Sequence, residues 1–175
     1  MILGHLASFC ACVIAFVLLT LGCAGNNWIT QTVGDQEASM GLWKACFVHV
    51  CKEFSTDGHS FYDSCKALST LAVIVSGVAM LGYVINWYSP DSTIGMLGGI
   101  PYISSGLLFI SGSLMAGAAR VYGSNIFDQF SIIEFGWSYF MAYASAAFCY
   151  LVTAATAISY KCAYDRCCAN EYQAI

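Results

Sequence analysis

The sequence predicts an all-α membrane bundle: four transmembrane helices joined by loops, one of them large and polar. Three observations carry this. Hydrophobic residues make up 59% of the 175-residue chain and charged residues only 9%, where soluble domains carry roughly 25% charged side chains. Four stretches, at about residues 6–25, 67–88, 99–119 and 135–160, contain no Asp, Glu, Lys, Arg or His. Each is long enough to cross a hydrocarbon core of about 30 Å as a helix. Half of the charged side chains fall between the first two stretches, in residues 26–66. The whole chain, 1–175, fits a single domain.

The first stretch, 6–25, competes with a cleaved signal peptide ending near Gly22-Cys23-Ala24. A membrane helix is favoured, because no Lys or Arg precedes the stretch and it is longer than the apolar part of such a signal. The loop 26–66 holds Asp35, Glu37, Lys44, Lys52, Glu53, Asp57, Asp63 and Lys66. Its apolar run between Cys46 and Cys51 suits a hairpin closed by a disulfide. The alternation in Phe47-Val48-His49-Val50 suggests a strand and Asp57-Gly58 a turn. Trp28 and Trp43, beside a membrane segment, are expected at the bilayer–water boundary, where an amphipathic ring sits best.

The second stretch ends in Trp87-Tyr88 as interface anchors, and 89–98 reads as a short connection. The third is rich in small residues: Ser104, Ser105, Gly106, Ser111, Gly112, Ser113 and Gly117. Ser113 and Gly117 stand one small-xxx-small step apart, which suits packing inside the bundle or an oligomer face. Residues 120–134 read as a second exposed loop, and Phe127, Phe130, Ile132 and Ile133 make it apolar. The tail, 161–175, carries Cys162, Cys167 and Cys168 beside Lys161 and Arg166, an arrangement that suits S-palmitoylation.

The ten cysteines divide by place. Cys10, Cys12, Cys23 and Cys149 lie in apolar stretches, and three lie in the tail. Cys46, Cys51 and Cys65 lie in the polar loop and are the disulfide material. Pairing of Cys65 with Cys46 or Cys51 stays open on spacing alone. A zinc site from Cys46, His49, Cys51, His59 and Cys65 is the rival reading, but the spacing matches no standard metal pattern. No metal or other cofactor is expected. No Gly-rich phosphate loop, HExxH or Ser/His/Asp constellation is present, so an enzyme is not expected. A net charge of −4 argues against nucleic acid as a partner. The stretches hold no charge that would mark a transport path, so function belongs to the loops and to lateral contacts with lipid or protein.

Trp28, Gly41-Leu42-Trp43, Cys46 and Cys51 together resemble the W…GLW-x2-C…C signature of the claudin superfamily. That superfamily also contains peripheral myelin protein, the epithelial membrane proteins and the calcium-channel gamma subunits. The four residues between the cysteines are fewer than claudins usually have. Cys65-Lys66-Ala67-Leu68 is similar to the Arg-Ala-Leu that opens the second claudin helix. Phe135-Gly136-Trp137-Ser138 is closer to the fourth-helix opening of epithelial membrane proteins and gamma subunits. The resemblance implies a small extracellular β-sheet in loop 26–66 and a Cys46–Cys51 disulfide. Trp28, Gly41, Leu42 and Trp43 would be an apolar latch seating that sheet on the helices.

It further implies a plasma-membrane protein of cell junctions with both termini cytoplasmic. Such a protein self-associates in cis and trans to form or regulate a paracellular barrier or pore, with Asp35, Glu37, Glu53 and Asp57 as candidates for charge selectivity. The alternative it implies is an auxiliary subunit that binds a channel or receptor laterally and modulates its gating or trafficking. The chain ends Tyr172-Gln173-Ala174-Ile175, without Ser or Thr two places before the last residue, which argues against a PDZ scaffold. The distribution of Lys and Arg, four on the loop side and two on the tail side, runs against this orientation. The paired cysteines, which need an oxidising side, argue for it.

Overall fold

The computed structural model describes residues 2–33, 36–47, 50–53, 60–88, 99–129 and 134–172. Four helices form the bundle: α1 (Ile2–Ala24), α2 (Ser60–Tyr88), α3 (Gly99–Gln129) and α4 (Trp137–Tyr172). All four are long and apolar enough to cross a membrane, over Leu6–Ala24, Phe61–Ile85, Ile103–Ile126 and Trp137–Ser159. Five short strands form one antiparallel sheet at one end: β1 (Ile29–Val33), β2 (Gln36–Met40), β3 (Lys44–Phe47), β4 (Val50–Glu53) and β5 (Glu134–Phe135). The order is β4-β3-β2-β1-β5, so the segment between α3 and α4 adds an edge strand to the sheet built between α1 and α2.

The bundle interior is rich in small residues, and many large apolar side chains face outward. Ala15, Ala72, Ala79, Ala118, Ala119 and Ala142 are buried together with Ser69, Ser76, Ser105, Ser111 and Ser145. Ile74, Val78, Leu81, Ile85, Phe109 and Leu151 point away from the other helices. In lipid no apolar gain follows from burying Leu against Leu, so close backbone approach and hydrogen bonds between helices hold the bundle. Ser111 Oγ donates to the Ala72 carbonyl at 2.6 Å, and Thr153 Oγ1 to the Ser105 carbonyl at 3.0 Å. These two bonds tie α3 to α2 and to α4.

Several sequence expectations change. The chain does not leave the helix at 120: α3 runs to Gln129, with Tyr122 and Ile126 buried in the core. Charge and polarity ended the apolar count, but helical hydrogen bonding does not depend on hydropathy. Likewise α2 begins at Ser60, so Cys65 lies on a helix rather than in the loop, and α4 continues to Tyr172 through most of the expected tail. Phe47-Val48-His49-Val50 is not one strand. Phe47 ends β3 and pairs with Val50, which begins β4. The side chain of Phe127, and Phe130, Ile132 and Ile133, lie outside the described residues, as does the Asp57-Gly58 turn.

The small residues of α3 divide. Ser104, Ser105, Ser111 and Gly112 face the bundle. Ser113 is on the exposed side, where it accepts a hydrogen bond from Tyr150 Oη at 3.2 Å. Gly106 and Gly117 meet open space.

Candidate functional site

A helix leaves its last four carbonyls without partners inside the helix. In α1 these belong to Leu21, Gly22, Cys23 and Ala24, at the edge of a membrane-spanning segment where water is scarce. Gly25 N–H donates to the Leu21 carbonyl at 3.0 Å. Trp28 Nε1 donates to the Gly22 carbonyl at 3.0 Å, and Trp43 Nε1 to the Cys23 carbonyl at 2.9 Å. The two signature indoles therefore cap one helix end, and in doing so fasten the sheet to it.

Trp28 is fully buried. Its ring lies 4.9 Å from that of Tyr122 on α3 and 6.0 Å from that of Tyr139 on α4. Tyr122 in turn meets Tyr62 of α2 edge-on at 5.6 Å, and Tyr62 Oη donates to Met40 Sδ of β2. This aromatic cluster joins every helix to the sheet. Trp28 is thus a protein-interior residue and not a lipid-boundary anchor, which corrects the sequence expectation. Trp43, by contrast, is 39% exposed. Lys66 Nζ sits 5.7 Å from the centre of its ring, within cation–π range.

Two glycines allow the backbones to close up. At Gly41 a Cβ would come 2.6 Å from Asn26 Cα, closer than such atoms approach. At Gly136 it would run into the Asn27 carbonyl oxygen. Gly136 N–H donates to the Trp28 carbonyl at 2.9 Å and Ser138 N–H to the Asn27 carbonyl at 3.0 Å, which locks the start of α4 to the segment leaving α1. Leu42 is fully buried in the core. Gly136 and Ser138 are seat residues that sequence reasoning missed. Their signal in the sequence is Phe135-Gly136-Trp137-Ser138, which by itself marks only a family branch.

Beyond the seat, Cys46 and Cys51 stand directly opposite each other in β3 and β4 and are joined by a disulfide, with S–S 2.02 Å. Their sulfurs are therefore not metal ligands. Cys65 is a free thiol, buried on α2 with Sγ 3.4 Å from the Ala118 carbonyl. Neither alternative pairing forms. Strand alternation then sorts the sheet into two faces. Lys44, Cys46, Cys51 and Glu53 share one face. Ile29, Ala38, Met40, Ala45, Phe47 and Val50 share the other and line an open groove of about 610 Å³. Ile29 and Met40 pack on the bundle, whereas Phe47 is 52% and Val50 62% exposed.

Of the four candidate charge-selectivity residues, Glu53 is exposed on the outer strand β4. Glu37 lies in β2 opposite Thr32. Asp35 and Asp57 lie outside the described residues. Cys162, Cys167 and Cys168 are on the last part of α4, their side chains outside the described set.

Four membrane-spanning helices with a sheet latched to the first by two indoles define a class of tetraspan membrane proteins. The chain belongs to the PMP-22/EMP/MP20/Claudin family, whose model matches residues 2–154. Among its relatives, the lens fiber membrane intrinsic protein of Homo sapiens is 27% identical over 164 residues, covering 89% of this chain and 88% of that one. The Rattus norvegicus and Mus musculus proteins of the same name are 26% identical over 161 residues, with the same coverage.

Proposed function

We propose that the chain is a plasma-membrane protein of cell–cell contacts, with its sheet outside the cell and both termini in the cytoplasm. It associates with copies of itself beside it and across the intercellular gap, and so forms or regulates a paracellular barrier or pore. The observation that carries this is the outer hairpin. Its two strands are tied by a disulfide, its tip presents Phe47 and Val50, and β4 pairs on one side only. Exposed apolar groups on a rigid edge, away from the membrane-spanning part, are features of a surface that a protein covers.

The test is expression in cells that lack junction strands, with freeze-fracture imaging of their contacts and mixing of two fluorescently tagged populations. Continuous strands, enriched only where two expressing cells meet, are expected. Diffuse surface protein would overturn the reading. If strands form, Glu53→Lys should lower the cation preference of the pathway, and an unchanged preference would remove Glu53 from that role.

A second reading has its own observation. Gly106 and Gly117 on α3 leave open space that a neighbouring helix can enter closely. This favours an auxiliary subunit that binds a channel or receptor laterally, to be sought by mild-detergent pull-down and tested with Gly117→Leu. Thioester capture on Cys162→Ser, Cys167→Ser and Cys168→Ser variants would decide the palmitoylation assignment.

A further inference from the structure

Below Trp43 the end of α1 and the adjoining part of α2 separate into an open groove of about 460 Å³. Thr20 and Ala24 of α1 form one wall, and Thr70, Val73 and Ile74 of α2 the other. Both walls belong to segments long and apolar enough to cross a membrane, so the groove lies on the side of the bundle that a bilayer would surround. Its rim is of different chemistry. Trp43 has spent its indole N–H on the Cys23 carbonyl, and its ring stands as a fixed side of the rim. Lys44 lines the rim beside it, and Lys66 Nζ is held over the same ring at 5.7 Å. Of the chain's six Lys and Arg, one follows this tryptophan in sequence and lines the groove, and another is held over its ring.

We propose that this groove is a phospholipid site. An acyl chain of a glycerophospholipid from the sheet-side leaflet lies between α1 and α2, and its phosphodiester is held by Lys44 and Lys66. Ammonium groups bind phosphate oxygens through charge-assisted hydrogen bonds. Glu53, opposite Lys44 in register, and Asp63, one turn before Lys66, are the carboxylates of the surroundings. They suit the ammonium end of a zwitterionic headgroup. A sterol would fill the apolar part and leave both lysines unused, and so would diacylglycerol.

Native mass spectrometry of the full chain released from detergent tests this, with dioleoylphosphatidylcholine, dioleoylglycerol and cholesterol offered separately. The phosphatidylcholine adduct should dominate. A Lys44→Gln/Lys66→Gln double variant should weaken it about tenfold, as expected for loss of hydrogen bonds from charged donors. Thr70→Phe, which fills the groove from the α2 side, should weaken it comparably. The intact Cys46–Cys51 bond serves as the check on folding, and the lysine variants, at partly or fully exposed positions, carry the test if Thr70→Phe fails that check. Equal binding of diacylglycerol or cholesterol, or undiminished phosphatidylcholine binding by the lysine variant, would overturn the proposal.

Discussion

The seat of the sheet and its outer hairpin are built on opposite principles. In the seat, Trp28, Leu42, Tyr62 and Tyr122 are buried, the Trp28 indole N–H is spent on the Gly22 carbonyl and the Tyr62 hydroxyl on Met40 Sδ. In the outer hairpin all four residues of β4 are exposed, and the strand is held by its ladder with β3 and by one covalent bond. The residues most diagnostic of the family thus serve stability. The exposed apolar side chains of the hairpin, Phe47 and Val50, are residues that no signature names. A recognisable motif can therefore say what a chain is while leaving what it touches unspecified.

Substitutions that separate the two regions sharpen this contrast, and thermal unfolding in detergent ranks them. Trp28→Ala should cost the most, about 4 kcal/mol, because it empties the aromatic cluster and orphans the Gly22 carbonyl. Gly41→Ala follows at about 3 kcal/mol, since the new methyl meets backbone that cannot yield. Cys46→Ser should cost about 2 kcal/mol, the modest value of a short loop closure, and should lower delivery to the cell surface. Phe47→Ser with Val50→Ser should change stability by only about 0.5 kcal/mol while abolishing enrichment at cell contacts. Should that last pair destabilise as much as Gly41→Ala, the distinction between seat and working surface would fail.

Much of this architecture was legible in the residues. The four uncharged stretches gave four membrane helices. The apolar run between Cys46 and Cys51 gave the closed hairpin, and Trp28 with Gly41-Leu42-Trp43 gave the latch. What escaped reading depends on direction and not on composition. Whether Trp28 faces lipid or protein is decided by Tyr122 and Tyr139, over a hundred residues away in places, and no local pattern encodes that. The extension of α3 was within reach. Met115, Ala119, Tyr122 and Ile126 recur at helical spacing across the point where hydropathy falls, and they are all buried. Reading for charge alone obscured that stripe. The role of Gly136 needed knowledge of the chain it passes, which only the fold supplies.

Because Ile29 pairs with Met40, the β1–β2 hairpin leaves the bundle and returns to it at one place, with Trp28 and Gly41 just outside the pair. Residues added or removed beyond that pair leave both indoles where they are. Parity is what matters. A two-residue insertion lengthens the blade and keeps every side chain on its own side, whereas a single insertion exchanges Ala38 for Ser39 and turns the blade inside out. The same rule governs β3 and β4, where Cys46 faces Cys51 across so short a span. Divergence among such chains can therefore run through blade length in even steps, giving different reach across a gap from one unchanged socket.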